Sequence, residues 1–428
     1  MKGRRGLNRA HWNRMGRIIA GAAVLGLLLT PIAANPSATA EALQQPAAAE
    51  SRPFPPERGR LRVEGSRFYD ANNEIWRWRG ATQFLLFARY LNGENIAPQL
   101  DWLVARGFNV IRVFGEVPAG FGAAQYGITN YERPFERPDF DARLHAFFTL
   151  LEDRGLRCEY TVLTYWDRSD VMRAHVQRVF DAAASHWNVF VEVANEPEHN
   201  QIDAVAVMQG VNRRGVLSAY GLDPARAGGP GSWKGFPVLD YGTTHDLQRD
   251  LENSPRNTRH AAEMQNALGV PFVNDEPIGA IDPGHAQFKQ TGPGTWGGIH
   301  GGGARTVDRD VFVSAAAIAY MYSAGYTFHF QDGVEGRTPA PGHKVQDSVA
   351  LALRDVATFL PNDLQRGTAV ESGRGDFGLA SGSGYGVIAG TQQWVVVPRP
   401  PANWSAAPAN GWRIAAVGPV PYVLKLAK

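Results

Sequence analysis

The chain has 428 residues, 44% of them hydrophobic, 11% aromatic and 20% charged, with a formal net charge of +2. That length suits one large domain plus an appendage, and the near-balanced charge offers no basic face for a nucleic-acid partner. A single cysteine, Cys158, excludes an intramolecular disulfide framework, so stability must come from a large core in which Cys158 is a small buried hydrophobe.

Arg14 and Arg17 precede an apolar run from Ile18 to Leu29, and Ala38-Thr39-Ala40 offers an A-x-A cleavage site. Residues 1–40 read as a secretory signal cleaved near Ala40. Met15 is an alternative start, and Arg4-Arg5 is either a twin-arginine element or a merely basic leader. The run is too short for a comfortable membrane span, so the expected location is secreted or periplasmic, off the membrane once the signal is removed. The signal holds six basic residues and no acid, which leaves 37 basic against 41 acidic residues and a mature charge of −4. Residues 41–58, rich in Pro and Ala, form a linker without apolar periodicity.

Leu61 to Trp78 alternates around a turn at Asp70–Asn73, which predicts a β-hairpin. Short apolar runs then alternate with amphipathic stretches, the pattern of a parallel sheet with covering helices. The strand candidates are strand 1 at 78–84, strand 2 at 108–114, strand 3 at 156–163, strand 4 ending at Asn195, strand 5 near 225–229, strand 6 at 237–244, strand 7 ending at Glu276 and strand 8 at 325–330. Helices fit at 96–106, 140–154, 171–186, 202–220, 258–268, 311–323 and 345–359. The spacing predicts an α/β fold: a (β/α)8 TIM barrel over 59–361 with an N-terminal β-hairpin, followed by a small β-rich C-terminal region at 362–428 that packs on the barrel.

The chemistry concentrates at two strand ends. An apolar run, Asn188 to Ala194, stops at Asn195-Glu196-Pro197, and Val270 to Asp275 stops at Glu276-Pro277. A barrel brings the ends of strands 4 and 7 to opposite sides of its mouth. Two carboxylates there suit glycoside hydrolysis, which needs one acid to protonate the leaving oxygen and one carboxylate to attack or stabilise the anomeric carbon. With Arg112 in Gly107-Phe-Asn-Val-Ile-Arg112, Arg79-Gly80 opening strand 1 and His245 after strand 6, these pieces resemble clan A glycoside hydrolases, the cellulase-like retaining superfamily related to family 5.

That resemblance implies a retaining mechanism without cofactor, in which Glu196 is the general acid/base, held protonated in the free enzyme, and Glu276 the nucleophile. Arg112 would lie close to Glu276 and keep it ionised. Asn195 would hydrogen-bond the sugar 2-hydroxyl, and His245 would hydrogen-bond within the site. Successive residues on a regular strand face opposite ways, so Asn195 and Glu196 can share one site only if the strand end is irregular. The chain departs from the family in two places. His245-Asp246-Leu247 lacks the usual tyrosine after the histidine, and strand 8 offers Phe328, His329 and Phe330 where a floor tryptophan is usual.

Plainer readings stand beside these. Glu196 and Glu276 are also what a helix start favours, Asp275 is a competing carboxylate, Arg112 fits a structural ion pair, and His245 a structural hydrogen bond. Trp166, Trp233 and Trp296 are candidate sugar platforms or core residues, the last within a Gly-rich loop at 291–303 that offers a lid or subsite wall. His199, His300 and His329 have no metal-ligand spacing, and no His/Asp cluster is expected at the strand ends, so no metal is assigned. The reading is a secreted retaining β-glycoside hydrolase acting on a β-linked polysaccharide or oligosaccharide, with endo action on glucan or mannan favoured. The alternatives are an exo-acting β-glycosidase and a glycan-binding barrel without catalysis.

Overall fold

The computed structural model describes residues 58–117, 133–222, 235–245, 258–277, 290–292, 295–296, 308–330, 333, 335–337, 344–364, 368–372, 384–397, 411–420 and 422–428. The secretory signal and nearly all of the linker therefore lie outside the described residues. No described helix is long and apolar enough to cross a membrane.

Eight parallel strands form the central sheet. In chain order they are barrel strand 1 (Trp78–Thr82), 2 (Val110–Phe114), 3 (Arg157–Leu163), 4 (Val189–Ala194), 5 (Ser218–Ala219), 6 (Gly242–His245), 7 (Phe272–Glu276) and 8 (Gly325–Phe328). Each pairs with its sequence neighbour, and strand 8 pairs with strand 1. The remaining seam, between strands 5 and 6, is bridged where the backbone N–H groups of Asp240 and Tyr241 donate to the Ser218 carbonyl. The chain is thus a (β/α)8 barrel, as the alternation of apolar runs predicts.

Strand 5 is the main correction. It was expected near 225–229, which lie outside the described residues, and 202–220 was expected to be helix. Only Ala204–Val207 is helical in that stretch, and the strand is the two-residue Ser218–Ala219. Gly210 and Gly215 take left-handed φ values of 81° and 75°, and Arg214 one of 54°, which stops helix propagation. The other helices start and end within three residues of expectation, at Ala97–Ala105, Phe140–Glu152, Ser169–Ala183, Arg259–Leu268, Asp308–Tyr322 and Lys344–Phe359.

The N-terminal strands Arg62–Glu64, Arg67–Tyr69 and Ile75–Trp76 form an antiparallel meander. Its last turn is closed by Asp70, whose Oδ1 accepts from the Asn72 and Glu74 N–H groups. The meander plugs the amino end of the barrel. Phe68 and Trp76 pack on Trp78 and Phe190 of strands 1 and 4, and Phe68 also meets Tyr241. This aromatic floor seals the barrel from below, so the site can open only at the carboxyl end.

The C-terminal region forms a five-stranded antiparallel sheet in the spatial order Thr368–Ser372, Gly384–Ala389, Gln392–Val396, Val423–Ala427, Arg413–Val417. It packs on the barrel's last two long helices. Tyr322 donates its hydroxyl to the Gly386 carbonyl, and Phe359 meets Trp394 edge-on at 5.2 Å.

Candidate active site

Above the aromatic floor the barrel interior becomes polar. Barrel interiors are usually filled by branched apolar residues; here Glu159, Glu192 and Asp275 enter from strands 3, 4 and 7, all fully buried, around a fully buried Arg112 from strand 2. Arg112 Nε lies 3.0 Å from Glu192 Oε2 and 2.7 Å from Asp275 Oδ2. Its Nη2 donates to Glu192 Oε2 and to Asn195 Oδ1, each at 2.8 Å, and its Nη1 donates to Glu276 Oε2 at 2.9 Å. The guanidinium also lies over the rings of Phe84 and Phe114, 5.1 and 5.7 Å from their centroids. Burial alone would lower the Arg112 pKa. The surrounding carboxylates, Asp275 first, outweigh it and raise the pKa well above the ordinary arginine value.

Glu196 lies just past strand 4, with its backbone in the left-handed region at φ 40° and ψ 57°. A non-glycine residue held there is strained, and such strain collects at functional sites. The turn provides the irregularity required for Asn195 and Glu196 to face one site. Asn195 reaches Arg112, while Glu196 Oε1 lies 3.4 Å from His245 Nδ1.

Strand 7 uses a different device. Its register against strand 6 shifts between Asn274 and Glu276, where Glu276 comes opposite His245. A bulge inserts one residue and re-aims its neighbour. In consequence Asp275 and Glu276, adjacent in sequence, both contact Arg112. Asp275 is the more deeply held of the two, because Thr327 donates to its Oδ1 at 2.9 Å and Trp78 Nε1 donates to Thr327 in turn.

His245 ends strand 6 and is 2% exposed. Its Nδ1 lies 3.4 Å from Glu196 Oε1 and 3.7 Å from Glu276 Oε2, so one nitrogen links the two candidate carboxylates. Burial works to lower its pKa. The hydrogen bond to Glu196 and the charge of Glu276 outweigh burial and push it up to about 9, which makes His245 an imidazolium at neutral pH.

Two residues of this arrangement, Glu192 and Glu159, were not singled out from sequence. Glu192 accepts from Thr161 at 2.5 Å as well as from Arg112. Glu159 accepts from the hydroxyl of Tyr241, just before strand 6, at 2.8 Å, which shows what that tyrosine does inside the barrel. The available signal was a charged residue in the middle of an apolar strand run, since parallel strands covered on both faces are otherwise apolar.

The expectation of no His/Asp cluster at the strand ends is also corrected. Glu192, His245 and Asp275 bring one ligand atom each within 4.8 Å of one another. They do not suit a divalent cation, because the Arg112 guanidinium, itself a cation, lies between Glu192 and Asp275 and already pairs with both.

The aromatic expectations divide. Trp166, just past strand 3, is 64% exposed at the mouth end of the barrel. Trp233 lies outside the described residues, as does most of the 291–303 loop; Trp296 falls in a short strand, and its side chain is not among those described. Phe328 and Phe330 stack on each other at 4.6 Å within the outer core and offer no sugar platform. His329 turns to Thr82 Oγ1 at 2.9 Å. His199, with its side chain 57% exposed, lies 4.0 Å from Glu196 Oε2.

No family profile and no curated protein matches the chain in sequence. Solved structures do match. A candidate glycoside hydrolase from Bacteroides vulgatus is 13% identical over 82% of this chain and 68% of its own, with a TM-score of 0.52. A β-glucanase from Saccharophagus degradans is 12% identical over 73% and 98% of the two chains at 0.45, and an endo-1,4-β-mannanase from Rhizomucor miehei 11% identical over 70% and 99% at 0.43. In fold, then, the (β/α)8 barrel of this chain is similar to the Bacteroides vulgatus structure, and at 13% identity the likeness is one of fold alone.

Proposed function

We propose that the chain is an exported retaining β-glycoside hydrolase acting on a β-linked glycan. The observation that carries this reading is the meeting of Glu196 and Glu276, from the ends of strands 4 and 7, at one nitrogen of His245. Double displacement uses carboxyl groups about 5 Å apart, whereas direct displacement by water needs a gap of about 6.5–9.5 Å. A single imidazole reaching both groups favours the closer arrangement.

In this mechanism Glu276 attacks the anomeric carbon and forms a glycosyl-enzyme. Its ion pair with Arg112, at 2.9 Å, holds it aimed. Glu196 protonates the departing glycosidic oxygen, then takes a proton from the water that hydrolyses the intermediate. His245, charged and hydrogen-bonded to Glu196, steadies that carboxyl through the exchange of roles. Asn195 commits its Oδ1 to Arg112, which leaves Nδ2 to donate to a substrate hydroxyl. Exposed Trp166 is the platform for a further sugar, which favours a chain substrate and endo action.

Reducing-sugar release by the chain from Glu41 onward, across β-glucans, mannans, xylans and galactans, tests the reading. Release from one class is expected, and Glu276→Gln should reduce it to background. Full activity in that variant would remove Glu276 from the mechanism. Binding without release on every substrate would favour a glycan-binding barrel.

A further inference from the structure

The proposed mechanism leaves Glu159 unused, yet its surroundings are specific. Arg112 faces it from strand 2, with Nε 3.8 Å from Glu159 Oε2. Glu192 faces it from strand 4, Asp275 from strand 7, and Tyr241, just before strand 6, donates to Oε1. Among the described residues three buried carboxylate oxygens here have no hydrogen-bond donor: Glu192 Oε1, and the facing pair Glu159 Oε2 and Asp275 Oδ2. Both oxygens of that pair approach Arg112 Nε, and the two side chains lie within hydrogen-bonding reach of each other. Two anionic oxygens do not persist at that separation in a dry interior, but one proton between them satisfies both. Asp275 is ion-paired with Arg112 Nε at 2.7 Å and accepts from the Thr327 hydroxyl, whereas Glu159 accepts from the Tyr241 hydroxyl and stands 3.8 Å from Arg112 Nε, so the proton resides on Glu159. The electrostatics agree. Burial first, then the charges of Asp275 and Glu192, raise the Glu159 carboxyl well above the ordinary carboxylate range, against the pull of Arg112.

We propose that Glu159 is a positioning residue whose carboxyl donates a hydrogen bond to Asp275, fixing the carboxylate against which Arg112, and through it Glu276, is aligned. This role rests on the glycosidase reading for its kinetic consequence but not for its chemistry. Unlike Arg112, Asn195 and His245, Glu159 would act entirely from below the substrate. With its proton in place, three buried carboxyl groups crowd one guanidinium, and Arg112 Nη1 remains free to serve Glu276.

Two measurements test this on the full chain. Infrared spectra at neutral pH should contain a buried protonated-carboxyl band that disappears in Glu159→Gln. Glu116, whose carboxyl burial also raises well above the ordinary range, supplies a second such component that stays. No difference between parent and variant would overturn the proposal, and this readout needs no substrate. On the substrate found by the panel, Glu159→Leu should lower kcat by about 10²-fold with KM changed less than about threefold. Glu159→Gln, whose amide can donate to Asp275 and accept from Tyr241, should restore most of that loss. Equal impairment of the two variants would eliminate the donor role. If Glu159→Leu does not fold, the infrared comparison on the glutamine variant still decides.

Discussion

His245 shows how a residue's chemistry depends on neighbours far away in sequence. Its folded pKa of about 9 stands above the ordinary imidazole value of 6.5, because Glu196 and Glu276 favour the charged ring more than burial disfavours it. A group with a raised folded pKa stabilises fully below its unfolded pKa and loses that contribution as pH rises through the folded value. The stabilisation should therefore be complete below about pH 6.5 and fade between 6.5 and 9. Denaturant midpoints of the parent and His245→Gln should differ at pH 6 and converge towards pH 10. A gap that stays constant across that interval would mean the ring is not charged in the folded state. The histidine itself was visible in the sequence, but the carboxylates that charge it arrive from two other strands.

At the scale of elements, two strand ends do the positioning, each by its own irregularity. Strand 4 ends in a left-handed Glu196, and strand 7 in a bulge at Asp275. Gly221 supports the first. Its φ is +75°, and a Cβ there would lie 1.7 Å from the Ala194 carbonyl oxygen, immediately before Asn195 and Glu196. Gly221→Ala must move that strand end as well as strain its own backbone. The expected cost is on the order of 3 kcal/mol, read from urea unfolding, with a parallel loss of activity. Parent-like stability would show that the close approach is easily relieved. The need for an irregular strand 4 was deducible from the alternation rule applied to Asn195 and Glu196. The bulge was not, because nothing in Asn274-Asp275-Glu276 says which residue is the extra one.

For the whole molecule, the C-terminal sheet is part of the stability of the barrel. Val387, Trp394, Val395, Val396, Tyr422, Val423 and Leu424 join the same buried cluster as Phe312, Tyr320 and Val356 of the barrel helices and Leu360 just past the last of them. Deleting residues 368–428 would expose that apolar face to water. The truncated chain should melt about 10 °C or more below the parent, or aggregate. A truncated chain that melted at the parent temperature would identify the sheet as a separable attachment.

The sequence by itself determined the barrel, because buried parallel strands and amphipathic helices impose different apolar periods, and these were readable at seven of eight strands. It also placed Asn195, Glu196 and Glu276 at strand ends and Arg112 within strand 2. Strand 5 escaped because two residues carry no period. The buried set of Glu159, Glu192 and Asp275 around Arg112 was decided only by barrel closure, which brings the middles of strands 2, 3, 4 and 7 together. Periodicity reports which face of a strand is buried; what shares that interior depends on how the sheet curls.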